Sequence, residues 1–290
     1  MPAEVSIRNT ETQDHGLRQA LDNKIVEQVG SAITSKKPIH AQFDICNTNR
    51  TVGAILSGKI ASQYGHTGLP DDTIKVKFKG TAGQSFGAFL ARGVTFLLEG
   101  ETNDYTGKGL CGGKIIVRPP EEFTGQAGEN VIVGNTVLYG GVDGEVYFCG
   151  FGGERFAVRN SGAEAVIEGC DSNGCEYMTG GTIIILGKVG DNFAAGMTGG
   201  MAFIYDLKDE FEKRVNPETV VWQRPETKYW ISHLKDLIIE HYKETDSMLS
   251  KKILSNFENE INNFFQVCPK EMINKLENPI SANLHIKEVS

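Results

Sequence analysis

The chain has 290 residues, 40% of them hydrophobic and 23% charged, the balance of an ordinary globular protein. No apolar run approaches the roughly 20 residues that cross a bilayer, which excludes a membrane-spanning helix, and a net charge of −8 offers no basic stripe for a nucleic-acid partner. The opening stretch MPAEVSIRNTETQDHG is polar and lacks the apolar core of a secretory signal, so a cytoplasmic location is expected.

Leu17, Leu21, Ile25 and Val29 repeat every four residues, which predicts a helix that Gly30 should stop. Ile39, Ala41, Phe43 and Ile45 then alternate, as a strand with one buried face does. The stretch from Asn47 to Gly65 shows neither period.

Glycine marks out the next zone. Of 34 glycines, only Gly16 and Gly30 precede residue 50 and none follows Gly200. The expected organisation is a lead-in over 1–52, a glycine-rich domain over 53–206 and a helical extension over 207–290. The middle zone repeats. Short β-branched runs such as Ile74-Val76-Phe78, Val94-Phe96-Leu98 and Ile183-Ile184-Ile185 are each followed by a glycine turn. A second short run carrying Phe86, Tyr105, Phe156, Tyr177 or Phe193 follows, then another glycine cluster. The gap of 51 residues from Tyr105 to Phe156 fits two or more units with the insert RPPEEFTGQAGEN.

A period of about 20 residues built from strands and turns is a solenoid signature. One unit cannot bury its apolar face alone, whereas stacked units share a continuous core. The expected fold is mainly β: a right-handed parallel β-helix of about six or seven coils, its hand following the general crossover rule. Where corners stack, bulky side chains would collide. Gly107, Gly109, Gly112, Gly113, Gly152, Gly153, Gly180, Gly181, Gly199 and Gly200 are therefore read as corner glycines. Asn103, Asn135, Asn160, Asn173 and Asn192 fall near the same corners, where asparagine tolerates left-handed backbone.

The last zone reads as helical. Trp230, Leu234, Leu237, Ile238 and His241 fall on one face, and Leu249, Ile253, Phe257, Ile261 and Phe264 on another. Thr245-Asp246-Ser247 between them offers an N-cap. Beyond Pro269 the tail is polar and weakly periodic, and partial disorder is expected.

GKGLCGG at residues 107–113 resembles a phosphate loop, yet it lacks the P-loop order and leads into a strand rather than a helix. Cys170 and Cys175 lack the companion ligands of a zinc or iron–sulfur site and read as reduced thiols in or near a core. The six histidines are dispersed, and none is read as paired with an obvious Ser or Cys nucleophile. Asp143 and Glu145 flank a turn glycine as solvated charges. No catalytic, cofactor-binding or metal-ligating residue is assigned.

Six stretches, among them GTAGQSFGAFLARGV, LEGETNDYTGKGLCGGKIIVRPP, GERFAVRNSGAEAVIEGCDSNGCEYMTGG and GDNFAAGMTGGMAFIYD, closely resemble the C-terminal GXGXG domain of the glutamate synthase large subunit. The resemblance is dense from about residue 40 to 206 and reaches into the flanking helical stretches. It departs at Cys111, where the family usually has a small hydroxyl residue, and no functional consequence is expected. It implies a part in making two glutamates from glutamine, 2-oxoglutarate and reductant. In that family an N-terminal cysteine hydrolyses the amide, and a central barrel carries FMN and an iron–sulfur cluster. NAD(P)H through a smaller reductase subunit, or ferredoxin, supplies electrons. The β-helix domain holds none of these centres and is regarded as structural.

The expectation is thus a scaffold that packs the glutamine amidotransferase and FMN-binding synthase modules together, with the reductase subunit as a further partner. Gln84, Ser85, Asn103, Asp104, Lys108, Arg155, Arg159 and Glu176 are candidates for interdomain contacts or corner hydrogen bonds. Two other readings stand beside it. An independent β-helix enzyme needs carboxylates at matching positions of adjacent units, where glycine, asparagine and aromatics are found instead. The equivalent subunits of N-methylglutamate synthase or formylmethanofuran dehydrogenase share the β-helix, but the helical tail after Asp206 argues against both.

Overall fold

The computed structural model describes residues 6–281. Helix α1 (Leu21–Ser35) is followed by strand β1 (Ile39–Ile45), helix α2 (Ala54–Tyr64), and strands β2 (Ile74–Thr81), β3 (Val94–Glu101), β4 (Cys111–Arg118), β5 (Val131–Val133), β6 (Asp143–Gly152), β7 (Ser161–Cys170), β8 (Thr179–Ile185) and β9 (Gly199–Tyr205). Strand β10 (Val220–Gln223), helices α3 (Lys228–Thr245), α4 (Met248–Ser255) and α5 (Phe257–Glu260), and strand β11 (Phe264–Pro269) complete it. In the sheet, β1, β2, β3, β4, β6, β7, β8 and β9 are successive neighbours and all pair in parallel. The fold is a β-solenoid of about seven turns. Strand β11 adds antiparallel to β9, and β10 to β11.

Register shows how the coils share a core. One inward column runs Val76, Phe96, Ile115, Val146, Ala165, Ile183, Ala202, every member 1% exposed or less. The next inward column runs Phe78, Leu98, Val117, Phe148, Ile167, Ile185, Ile204. Because side chains alternate across a strand, the residues between these columns face outward. That outward column begins polar, with Gln42 and Lys77, and turns apolar at Leu97, Ile116, Tyr147, Val166, Ile184 and Phe203. Leu234, Leu237, Ile238, Ile253 and Phe257 of the C-terminal helices pack on the apolar part as a second core.

Strand partners lie 18 to 20 residues apart except at two places. Ile39 to Ile74 spans 35 residues and contains α2, and Lys114 to Glu145 spans 31 and contains the Pro119-Pro120 insert with β5. The long gap after Tyr105 is therefore two coils. Helix α2 starts under a carboxylate supplied by α1. Asp22, 2% exposed, accepts from the N–H groups of Gly53, Ile55 and Leu56 at 3.0 to 3.3 Å, satisfying amides that a helix start leaves without partners.

Local structure departs from the sequence periods in three places. Helix α1 passes through Gly30 and ends at Lys36, which takes the left-handed conformation at φ 54°; Leu17 lies before it, 63% exposed. The packing of Val29, Ala32 and Ile33 into the core outweighs the roughly 1 kcal/mol a mid-helix glycine costs. The second C-terminal run does not form one helix: it breaks at Asn256, and Phe264 lies in β11. Pairing of Phe264 to Val267 with β9 captures that segment as strand. Third, the aromatic-bearing segments between strands are runs of turns, so each coil has one main strand. Past Pro269 the described residues begin with a 3-10 turn at Lys270–Met272; the rest of the tail expected to be partly disordered, 282–290, lies outside the described residues.

Candidate interaction surface

Six successive turn runs share a backbone pattern. Ser85, Gly87, Phe89; Tyr105, Gly107, Gly109; Thr136, Leu138, Gly140; Arg155, Ala157, Arg159; Asn173, Cys175, Tyr177; and Asn192, Ala194, Gly196 all hold φ between 54° and 67°. Left-handed residues thus alternate with ordinary ones three times per coil. Leu90 donates to Gly87 O at 3.2 Å and Leu110 to Gly107 O at 3.0 Å, as in consecutive type II turns, which put a left-handed residue third. The amides of the first five triplets point alternately to the two neighbouring coils. Tyr105 N donates forward to Asn135 O at 2.9 Å, Gly107 N back to Phe86 O at 2.8 Å, and Gly109 N forward to Tyr139 O at 2.8 Å. The left-handed region costs a non-glycine residue about 1–2 kcal/mol, and this ladder holds it there. Only five of the eighteen positions are glycine.

The ten corner glycines divide by cause. Gly107, Gly109, Gly112, Gly181 and Gly200 have positive φ. Gly113, Gly152, Gly153, Gly180 and Gly199 do not, but at each a Cβ would stand within 3 Å of atoms of another coil. At Gly180 it would lie 2.2 Å from Ser161 O, so close approach rather than φ requires the glycine there. Of the corner asparagines, Asn173 and Asn192 are left-handed; Asn103, Asn135 and Asn160 are not.

The polar candidates sit on the turn runs, and most bond within the solenoid. Gln84 O accepts from Thr51 N at 2.8 Å, and Ser85 N donates to Asp104 O at 2.9 Å. Asn103 Oδ1 accepts from Asp104 N at 2.8 Å, while Asp104 Oδ1 accepts from Asn135 N at 2.8 Å and its Nδ2 at 3.1 Å. Arg155 pairs with Glu176 at 3.2 Å across coils. Lys108 and Arg159 differ, standing over the rings of Tyr105 and Tyr177 at 5.5 and 5.9 Å. The sequence reading did not mark Phe89 and took Tyr105 and Tyr177 only as repeat aromatics; the three are left-handed and 52%, 39% and 51% exposed. Asp143 and Glu145, read as solvated, pair with Arg92 and with Lys114 at 3.0 Å.

A buried polar cluster fastens the C-terminal helices to the solenoid. His241 on α3 is fully buried; its Nε2–H donates to Phe148 O at 3.0 Å and its Nδ1 accepts from Ser250 Oγ at 2.7 Å. The carbonyl can only accept, which fixes that tautomer. Burial holds this imidazole down at about 4. Ser250 N donates to Ser247 Oγ at 3.1 Å, and Ser247 donates to Glu168 on β7. Burial pushes the Glu168 carboxyl above the ordinary carboxylate range. The Ser, His and Glu side chains do not form a nucleophile–base–acid relay, because the imidazole's second nitrogen is bonded to a backbone carbonyl. His233 of α3 adds contacts to Thr182 and Glu164, both at 3.1 Å.

Cofactor chemistry was tested against these residues. Among the described residues no group of three or more His, Cys, Asp or Glu side chains could hold a metal. Cys170 and Cys175 are buried in the solenoid core and their thiols are pushed up by desolvation, the opposite of the thiolate a cluster needs. The corner amides that could cradle a flavin phosphate donate to neighbouring coils instead. Among the described residues, these buried thiols and engaged corner amides do not fit an iron–sulfur cluster or a flavin phosphate.

A family model for the GXGXG motif matches residues 22–270. The chain is 47% identical over 263 residues to an NADH glutamate synthase of Schizosaccharomyces pombe, covering 91% of this chain and 12% of that protein. It is 44% identical over 282 residues to the large chain of an NADPH glutamate synthase of Bacillus subtilis, covering 95% and 18%. With a ferredoxin-dependent glutamate synthase of Pyropia yezoensis the identity is 48% over 249 residues, covering 86% and 16%. The chain spans less than a fifth of the length of these relatives.

Proposed function

The chain belongs to the GXGXG motif family, and from that premise we propose that it is the structural domain or subunit of a cytoplasmic glutamate synthase, holding the amidotransferase and FMN-binding modules in fixed relation. The observation that carries this reading is the match of nearly the whole chain to under a fifth of proteins named glutamate synthase, whose names give NADH, NADPH or ferredoxin as electron donor. The mechanics support it. A stack of coils with bonds at every rung and corner resists bending, because each coil is registered on two neighbours. The helices locked to its outer face by His241, Ser247 and Glu168 stiffen it further. A body of this kind can set the path length for ammonia passed between modules. No helix among the described residues is long and apolar enough to cross a membrane.

The test is a two-part assay with glutamine, 2-oxoglutarate and reduced cofactor. The chain alone should turn over neither glutamine nor 2-oxoglutarate. Added to the remaining modules of the synthase from the same source, it should raise glutamine-dependent glutamate formation. Turnover by the chain alone, or no effect on the completed assembly, would contradict the proposal.

A further inference from the structure

Phe89, Tyr105 and Tyr177 combine two costs: each holds φ near +57° and each leaves a large ring in water. Neighbouring coils show that the fold does not need these side chains. The position of Phe89 and Tyr177 is glycine at Gly109, Gly140 and Gly196, where the conformation is free of strain. Backbone strain with exposed aromatics is retained where the side chain has a use. The rings are also seated. Phe89 lies against Gly109 and Tyr177 against Gly196, so close that a Cβ on either glycine would come within 2.6 Å of the ring. Each of these two rings is therefore held in place against the next coil. Lys108 and Arg159 stand over Tyr105 and Tyr177, and neither has a carboxylate partner among the described residues. Between these pairs the corner is low: nothing lies within 4 Å of where a Cβ on Gly140 would stand.

We propose that this corner is a docking strip for an extended acidic segment of polypeptide laid along the solenoid axis. Rigid aromatics and arginine are the residues that anchor protein interfaces, and two cations unpaired on a chain of net charge −8 mark a local complement to carboxylates. Lys108 and Arg159 sit on turn runs two coils apart, about 10 Å at about 4.8 Å per rung, a span of about three residues of extended chain. Carboxylates about three residues apart would thus meet the two cations, with the backbone passing over Gly140 and an apolar side chain reaching Phe89. The polypeptide supplying that segment has room to exist, since the relatives carry more than four-fifths of their length outside the matched region. The strip deepens the scaffold reading by naming the contact surface, and rests on it only for where the segment comes from.

The experiment uses the 290-residue chain and a synthetic proline-rich peptide carrying two glutamates three residues apart, with its glutamine counterpart as control. Calorimetric titration should show the glutamate peptide binding at least about tenfold more tightly, and weakening as salt screens the charges. The double substitution Lys108→Gln, Arg159→Gln should remove that difference. Phe89→Gly and Tyr177→Gly should each weaken binding at least about fivefold while melting no lower than the parent chain. Equal or absent binding of the two peptides overturns the inference. So does tighter binding of a single-stranded oligonucleotide of equal charge, which stacked aromatics with cations also suit. A marked drop in melting temperature of the glycine variants with peptide binding intact makes the rings structural and overturns it as well. Because no other synthase module is present, failure here leaves the assembly assay above standing, and the reverse holds too.

Discussion

Replacing Gly180 by alanine separates two explanations of the periodic glycines. Gly180 has no positive φ, yet an added Cβ would stand 2.2 Å from Ser161 O and 2.8 Å from its carbonyl carbon. Ordinary contact needs about 3.4 Å, so two rungs must part by about 1 Å locally. Parting them stretches the bonds that pin this corner: Gly180 N to Asn160 O at 3.2 Å and Asn160 Nδ2 to Gly180 O at 3.0 Å. Overpacking of this kind costs about 1–3 kcal/mol, and a weakened buried hydrogen bond adds about 1 kcal/mol. The expected destabilisation is about 2–4 kcal/mol, or a fall in melting temperature of roughly 4–10 °C for a chain this size. Two controls bracket it. Gly140→Ala meets no neighbour but must hold φ 61°, and should cost only about 1 kcal/mol. Gly58→Ala lies in α2 with open space around it, and should gain about 0.5–1 kcal/mol. Chemical denaturation of the four proteins orders them. If Gly180→Ala is as stable as Gly140→Ala or the parent, stacked-rung crowding is not why the glycine is there.

Three further outcomes follow from the buried groups. The His241 imidazole is held at about 4 against an ordinary 6.5, so the unfolded chain binds the extra proton first as pH falls. Its contribution is intact above 6.5 and should be lost progressively down to about 4, by about 3 kcal/mol. Urea midpoints measured across that range check it, and His241→Gln should flatten the slope. Glu168, pushed up by burial, acts with the opposite sign: its contribution is present below the ordinary carboxyl value and fades as pH rises through its raised one. Asp22→Ala should cost at least about 1–2 kcal/mol in the same assay, since it strips the start of α2 of its acceptor. Thiol titration of the native chain should label Cys46 first, as it is exposed and its thiol is lowered by its bonds to Thr48 and Asn49, while Cys149, Cys170, Cys175 and Cys268 react only after denaturation.

Much of this architecture was legible in the residues. The β-branched runs and the glycine clusters carry the solenoid, because a rung needs inward side chains every second residue and clearance at each bend. The left-handed triplets were not legible. Their backbone is held by inter-coil amides, and nothing in the identity of Phe89, Arg159 or Leu138 announces positive φ. The aromatic ruler misled for the same reason: Phe86, Phe156 and Phe193 are buried second members of the pattern, whereas Tyr105 is a first and Tyr177 a fifth. That offset explains the uneven aromatic spacing. The break at Asn256 was hidden because the four-residue period continues through Phe257 and Ile261 while β9 claims the next segment. The docking of the C-terminal helices left a signal that went unread, the change from Lys77 to Leu97, Ile116 and Tyr147 along the outward column. Of the surface residues, the sequence reading singled out the polar corner ones and used Tyr105 and Tyr177 only as repeat markers, and it did not mark Phe89.

The central claim is that this chain works as the rigid part of a larger glutamate-forming assembly. Affinity capture of the chain from its native source, followed by identification of what it carries, tests that most directly. Recovery of a glutamine amidotransferase and a flavoprotein in fixed proportion to the chain is the predicted result. A chain that emerges with neither partner would contradict it.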